Sequence, residues 1–77
     1  MEELLTYLAR ELVDDPDQVR VDRYEREDGE LVLELHVGPD DVGKVIGKQG
    51  RIARALRTVV KASAVRAGRR VHVEIAA

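Results

Sequence analysis

Leu4, Leu5, Leu8 and Leu12 recur at helical three- and four-residue steps, and Glu2 and Glu3 suit the first turn of such a helix. The pattern predicts an amphipathic helix from Glu2 to about Val13. Asp14-Asp15-Pro16-Asp17 stops it, because proline disfavours helical geometry in the residue before it and carboxylates favour turns. These carboxylates make a poor metal site, since no histidine or further ligand is near them in sequence. Val19 to Glu27 reads as a strand of imperfect alternation, with Val19 and Val21 on one parity and Tyr24 on the other, and Asp28-Gly29 then marks a hairpin. Leu31, Leu33, Leu35 and Val37 alternate with Val32, Glu34 and His36, which predicts one buried and one wet face. After Gly38-Pro39-Asp40-Asp41, where Asp40 or Asp41 suits a helix cap, a short helix runs to Ile46. From Arg51 to about Ala67, Ile52, Leu56, Val59, Val60 and Ser63 line one stripe of a long helix that Gly68 ends, and Val71 to Ile75 forms a last strand.

Composition narrows this α+β reading. Seventy-seven residues make one domain, residues 1–77, and with no cysteine there is no disulfide or thiolate metal site to staple it. The aromatic residues are Tyr7 and Tyr24 alone, so the core is aliphatic. Such a chain cannot build the aromatic base-stacking platform of the RRM, cold-shock or OB type. No apolar run approaches a membrane span and Met1-Glu2-Glu3 lacks the basic start of a secretory signal, so a soluble cytoplasmic protein is expected. The absence of Cys and Asn, with ten Arg against three Lys, leans toward a heat-adapted source.

The net charge of −2 conceals a strong asymmetry. Met1 to Asp41 carries fourteen acidic and four basic residues, whereas Val42 to Ala77 carries nine basic residues against Glu74 alone. Patch charge rather than total charge governs association with polyanions, and the second half is strongly positive. Within it lies Val45-Ile46-Gly47-Lys48-Gln49-Gly50-Arg51-Ile52. Two glycines three apart let the chain reverse and keep no Cβ between it and a visitor. The helix that follows presents free amides and the positive end of its dipole, with Lys48 and Arg51 beside them. The expected visitor is anionic.

Other motifs carry less. His36 and His72 fall on wet strand parities without an activating partner, and read as surface residues. Glu34 and Glu74 read as cross-strand partners for sheet arginines. Gly38-Pro39-Asp40-Asp41-Val42-Gly43-Lys44 has the spacing of a phosphate-binding P-loop, but Val45 stands where a magnesium-binding hydroxyl is needed and two carboxylates occupy the cradle. With no Ser/His/Asp set, no cysteine nucleophile and no metal cluster, no enzyme and no cofactor is expected.

The octapeptide around the two glycines resembles the core motif of KH domains, and the element order resembles their type II arrangement over essentially the whole chain. The continuation Ala53-Arg54-Ala55-Leu56-Arg57-Thr58-Val59-Val60 is most similar to the small single-KH RNA-binding proteins of bacteria, the KhpA family. Many KH sequences place a large aliphatic residue three positions after the second glycine; here Ile52 comes at two and Ala53 at three.

The resemblance implies an α-β-β-α-α-β fold, with three helices covering one face of a three-stranded mixed sheet. The hairpin would be antiparallel and the last strand parallel to the second. It also implies that the Gly-x-x-Gly backbone grips single-stranded RNA of about four nucleotides while an aliphatic groove reads the bases. Gly47 and Gly50 would permit contact, Lys48 and Gln49 would point toward phosphate, and Lys44, Arg51 and Arg54 would line the rim. Ile46, with Val37, would floor the groove. A role in post-transcriptional regulation or RNA chaperoning would follow, and pairing with itself or with a larger KH-containing protein, but no membrane or small-molecule substrate. Two other classes compete: a helix-turn-helix reading duplex DNA, disfavoured by the flanking strands, and a protein-interaction module whose glycine turn is only a tight corner.

Overall fold

The computed structural model describes residues 1–76. Its elements are α1 (Glu2–Leu12), β1 (Arg20–Glu25), β2 (Leu31–His36), α2 (Val42–Ile46), α3 (Arg51–Arg66) and β3 (Val71–Ile75), with single 3₁₀ turns at Pro16–Gln18, Pro39–Asp41 and Lys48–Gly50. The sheet order is β1-β2-β3. β1 and β2 pair antiparallel, Arg20 opposite His36 and Glu25 opposite Leu31, and β3 runs parallel to β2 from Leu31 opposite Val71 to Leu35 opposite Ile75. This is the mixed α+β sheet that the pattern and the resemblance led us to expect.

One face of the sheet is dry. Leu31, Leu33, Leu35, Val71 and Val73 meet Leu5 and Ala9 of α1, Val45 of α2, and Leu56, Val60 and Ala64 of α3 in a single cluster. The other face is open and carries Tyr24, Asp22, Glu34, His36, His72 and Glu74. It is not wholly wet, because Val32, flanked in its row by Tyr24 and His72, is fully buried.

The core stripes differ from the expected ones. On α3 the buried residues are Ala53, Leu56, Val60 and Ala64, whereas Val59 is 45% exposed and Ile52 only half-buried. The inward face is turned by roughly 60° from the stripe of largest aliphatics, by the helical period of 3.6 residues. Two alanines allow α3 to lie close on the sheet, and size ranking alone overlooks them. α1 repeats the lesson, burying Leu5 and Ala9 while Leu12 is 37% exposed.

The chain reversals show how local sequence closes each element. Between β1 and β2 the chain reverses at Glu27, Asp28 and Gly29, closed by Arg26 N–H to Glu30 O at 2.9 Å and by Glu30 N–H to the Asp28 carboxylate at 2.9 Å. α3 ends in a Schellman pair, Arg69 N–H to Ala64 O and Gly68 N–H to Val65 O, at 2.8 and 3.0 Å. At the far edge, Arg70 O accepts from Leu31 N–H and Ala76 N–H donates to Leu35 O. The alternate residues Val71, Val73 and Ile75 therefore turn their main-chain groups outward, along an edge no strand covers.

Asp41 has a different task from the helix cap its position suggests. α2 has no side-chain cap. The Asp41 carboxylate instead accepts the amides of Asp14 and Asp15, at 3.3 and 3.0 Å, where the chain leaves α1. Burial opposes its charge, but the N–H groups of Asp15 and Asp14 and the Lys44 ammonium outweigh that, and the carboxyl titrates below its ordinary value. The P-loop-like segment is thus a joint between two parts of the fold.

Candidate nucleic-acid interface

The site is built on a break between two helices. α2 ends at Gly47, whose amide bonds Gly43 O at 2.9 Å, and Gly50 N–H returns to Gly47 O at 3.2 Å. Within that single turn the amides of Lys48 and Gln49 have no backbone acceptor among the described residues, as at any helix start. α3 follows with no side-chain cap on its first amides. The turn thus displays donors and a positive dipole end at one place.

The two glycines do different work. Gly47 has φ 75° and ψ 175°, a region that essentially only glycine enters. A Cβ there would meet Ile52 Cγ1 at 2.6 Å and Ile52 Cβ at 2.9 Å, so the start of α3 packs directly on it. Gly50 is left-handed, with φ 74° and ψ 17°, and nothing lies within 4 Å of where its Cβ would stand. Open space, not packing, lies on the side of the second glycine where a Cβ would project. Between them Gln49 also holds a left-handed conformation, φ 57°, which is uncommon for a non-glycine residue and mildly strained. Lys48 and Gln49 are exposed, and Ile46 is half-buried outside the core cluster.

Charge partners sort the basic half of the chain. Lys44 Nζ lies 3.0 Å from the Asp14 carboxylate and 3.5 Å from that of Asp41, and the hydrogen bond and charge of Asp14 raise its pKa. Arg69 pairs with Glu25 at 3.0 Å and Arg70 with Asp28 at 3.8 Å. Among the described residues, Lys48, Arg51, Arg54, Arg57, Lys61 and Arg66 have no carboxylate within ion-pair distance. The acidic first half therefore neutralises the joint and the sheet end but leaves the turn and α3 positive. Of the eight residues expected at the site, Ile46, Gly47, Lys48, Gln49, Gly50 and Arg51 are contiguous, and Arg54 stands about one turn along α3. Lys44 is drawn to the joint. Val37 packs against the core instead of standing free.

Two features escaped sequence reasoning. Arg57 is half-buried and donates its Nε–H to Val73 O, at 3.1 Å, on the open edge of β3. Its basic type and spacing from Arg54 were legible; the strand beside it was not. On the open face of the sheet, His36 does have partners: its Nε2 lies 2.7 Å from Glu34 and 3.1 Å from Asp22, three side chains close enough to invite a cation. Arg20, however, already engages both oxygens of Asp22 at 3.2 Å. Glu74 meets Arg26 at 3.8 Å, as expected for a cross-strand partner, and His72 at 3.3 Å, while Glu34 turns to His36. The register sets Asp22, Glu34 and Glu74 in one row, and Arg20 beside Asp22 and Arg26 beside Glu74 offset their mutual repulsion.

Neither tyrosine belongs to the turn or its flanking helices: Tyr7 is on α1 and Tyr24 on the open sheet face. On the flank of α3 away from β3, Ile52, Ala55 and Val59 form an apolar groove with Leu8 and Leu12 of α1. No described helix is long and apolar enough to cross a membrane.

Comparison with known proteins converges on one family. The family described as KhpA/KhpB, KH domain, matches residues 2–75. The RNA-binding protein KhpA of Clostridium acetobutylicum is 56% identical over 75 residues, covering 97% of this chain and 99% of its own length. Those of Aquifex aeolicus and Bacillus subtilis are 51% and 47% identical, each again over 97% of this chain and over 94% and 91% of their lengths. Among solved structures, Era in complex with MgGDPNP and nucleotides 1506–1542 of 16S ribosomal RNA superposes with a TM-score of 0.62 at 18% identity. That match covers 96% of this chain and 28% of Era, a likeness of fold alone.

Proposed function

The chain belongs to the KhpA/KhpB KH-domain family, and from that premise we propose that it binds short single-stranded RNA across the Gly47–Gly50 turn. The observation that carries this reading is the open left-handed Gly50 beside unpaired Lys48 and Arg51. A ribose-phosphate backbone can approach bare main chain there, meet the amides of Lys48 and Gln49, and find the end of the α3 dipole without displacing an internal ion pair. Gly47 fixes the bend, Ile46 offers an apolar edge, and Arg51 and Arg54 border the path. Lys44 would take part as a rim charge only by leaving Asp14. Base stacking on aromatic rings has no part in this, which favours grip on the backbone and edge contacts over stacking.

The family matched, in a sequence with no cysteine, favours a binding protein over an enzyme. A role in post-transcriptional regulation or RNA chaperoning in the cytoplasm fits such a binder. The apolar groove between α1 and α3 favours pairing with another KH chain, either a copy of this one or a larger relative. Its exposed Val59 is the position where a charge would block that pairing.

A salt titration with matched single-stranded RNA and duplex DNA tests the function. RNA should bind better, with a slope of log affinity against log salt of about −1.5 to −3, from roughly two to four phosphate contacts at about 0.7 each. Equal or tighter binding of the duplex would instead favour a helix-turn-helix mode, and no binding at low salt would leave a protein-interaction module.

A further inference from the structure

Six residues beyond the start of α3, about 9 Å along its axis, the flank facing β3 carries Arg57. Its guanidinium is fixed at one end, Nε–H to Val73 O at 3.1 Å, and its stem is half-buried. No carboxylate among the described residues takes the remaining fork, so the two Nη groups are held in a set plane with their hydrogens unspent. Beside them runs the uncovered edge of β3, with the outward main-chain groups of Val73 and Ile75. A strand gripped at the glycine turn and laid along α3 would reach this point within the four nucleotides a KH turn holds.

We propose that Arg57 selects the base in this site, favouring a base edge that offers two adjacent hydrogen-bond acceptors; the proposal rests on the RNA-binding reading above. Arg51 and Arg54 stand exposed on the outer surface and suit phosphates as point charges. Arg57 differs because a main-chain carbonyl fixes its orientation on the floor between helix and strand, where bases turned inward from the backbone would lie. A guanidinium fork donates two parallel N–H bonds, and matches guanine O6 and N7 or cytosine N3 and O2. Uracil interposes an N3–H donor between its two oxygens, and adenine sets N1 and N7 each beside the amino group while its N3 stands alone, so neither base offers two adjacent acceptors. Those bases would leave one arm of the fork unpaired on a half-buried floor.

The test uses eight-nucleotide RNAs at fixed salt: all-C, all-U, all-A, and alternating U and G. Wild-type protein should bind the C or the UG oligomer at least roughly tenfold more tightly than all-U and all-A, the scale of one bidentate pair. Which of the two it prefers identifies the edge read. Arg57→Lys keeps the charge but loses the planar fork, and should bind all four within about twofold of one another while melting at the wild-type temperature; Arg57→Gln should lose the preference as well. A wild type that does not discriminate overturns the proposal but leaves RNA binding standing. So does an Arg57→Lys variant that keeps the same preference, or one that loses affinity equally for all four and so marks a phosphate contact. A wild type that binds no RNA overturns this proposal and the reading beneath it together.

Discussion

Replacing Lys48 and Gln49 together by aspartate separates binding from folding, because the two effects have opposite signs in this turn. The double variant keeps both glycines and shifts the charge of the turn by three units toward negative. At about 6 Å from a phosphate and an effective dielectric of roughly 40 to 80, each unit changes the interaction by about 0.7 to 1.4 kcal/mol. The loss of about 2 to 4 kcal/mol corresponds to roughly 30- to 700-fold in affinity. Stability should not fall in parallel. Gln49 is already left-handed, at φ 57°, a conformation aspartate tolerates better than glutamine, and both positions precede the uncapped start of α3, where acidic side chains favour the dipole. Neither side chain is buried. Fluorescence anisotropy with a labelled eight-nucleotide RNA at two salt concentrations, beside a thermal melt, reads both quantities. Affinity retained within threefold in a folded variant would move the binding surface away from the turn, and a large drop in melting temperature would refute the view of Gln49 as mildly strained.

The two glycines should respond unequally to alanine. Gly47→Ala forces a Cβ to within 2.6 Å of Ile52 in a region closed to other residues, and should cost roughly 2 to 4 kcal/mol, whereas Gly50→Ala meets only the left-handed penalty of about 1 to 2 kcal/mol. Urea unfolding checks the order, and Ile52→Ala should recover part of the Gly47→Ala loss but none of the Gly50→Ala loss. The Asp41 joint makes stability depend on pH at both ends. Asp41 titrates below its ordinary 3.8 in the folded protein, so its contribution is present above that value and fades as pH falls through the folded one. Lys44 titrates above its ordinary 10.5, so its contribution is complete below that value and is lost as pH rises past it. Asp41→Asn should therefore melt below wild type at pH 6, with a gap that narrows toward pH 3; a gap independent of pH would mean that the charge has no part in the joint.

How far the chain could be understood before its structure depended on the range of the interaction concerned. The order of elements, the hairpin at Asp28-Gly29, the end of α3 at Gly68 and the exposed glycine turn rest on periodicity and on conformations set by residues a few positions apart, and all are present. The segregation of charge was equally plain, because it is a property of order along the chain. Which charges remain free was not, since each pairing spans the fold: Lys44 reaches back to Asp14, Arg69 to Glu25 and Arg70 to Asp28.

What the sequence by itself determined is the kind of protein this is: an aliphatic α+β domain with a bare, positive turn between two helices. Only the tertiary structure decided which face of α3 turns inward, what Asp41 holds, that His36 sits against two carboxylates, and that Arg57 rests on the edge of β3. Helical period and turn chemistry act over one or two turns and can be read from neighbours. Packing register is set by partners distant in sequence, and a shift of one residue in a strand, or of half a turn in a helix, changes every contact on that face.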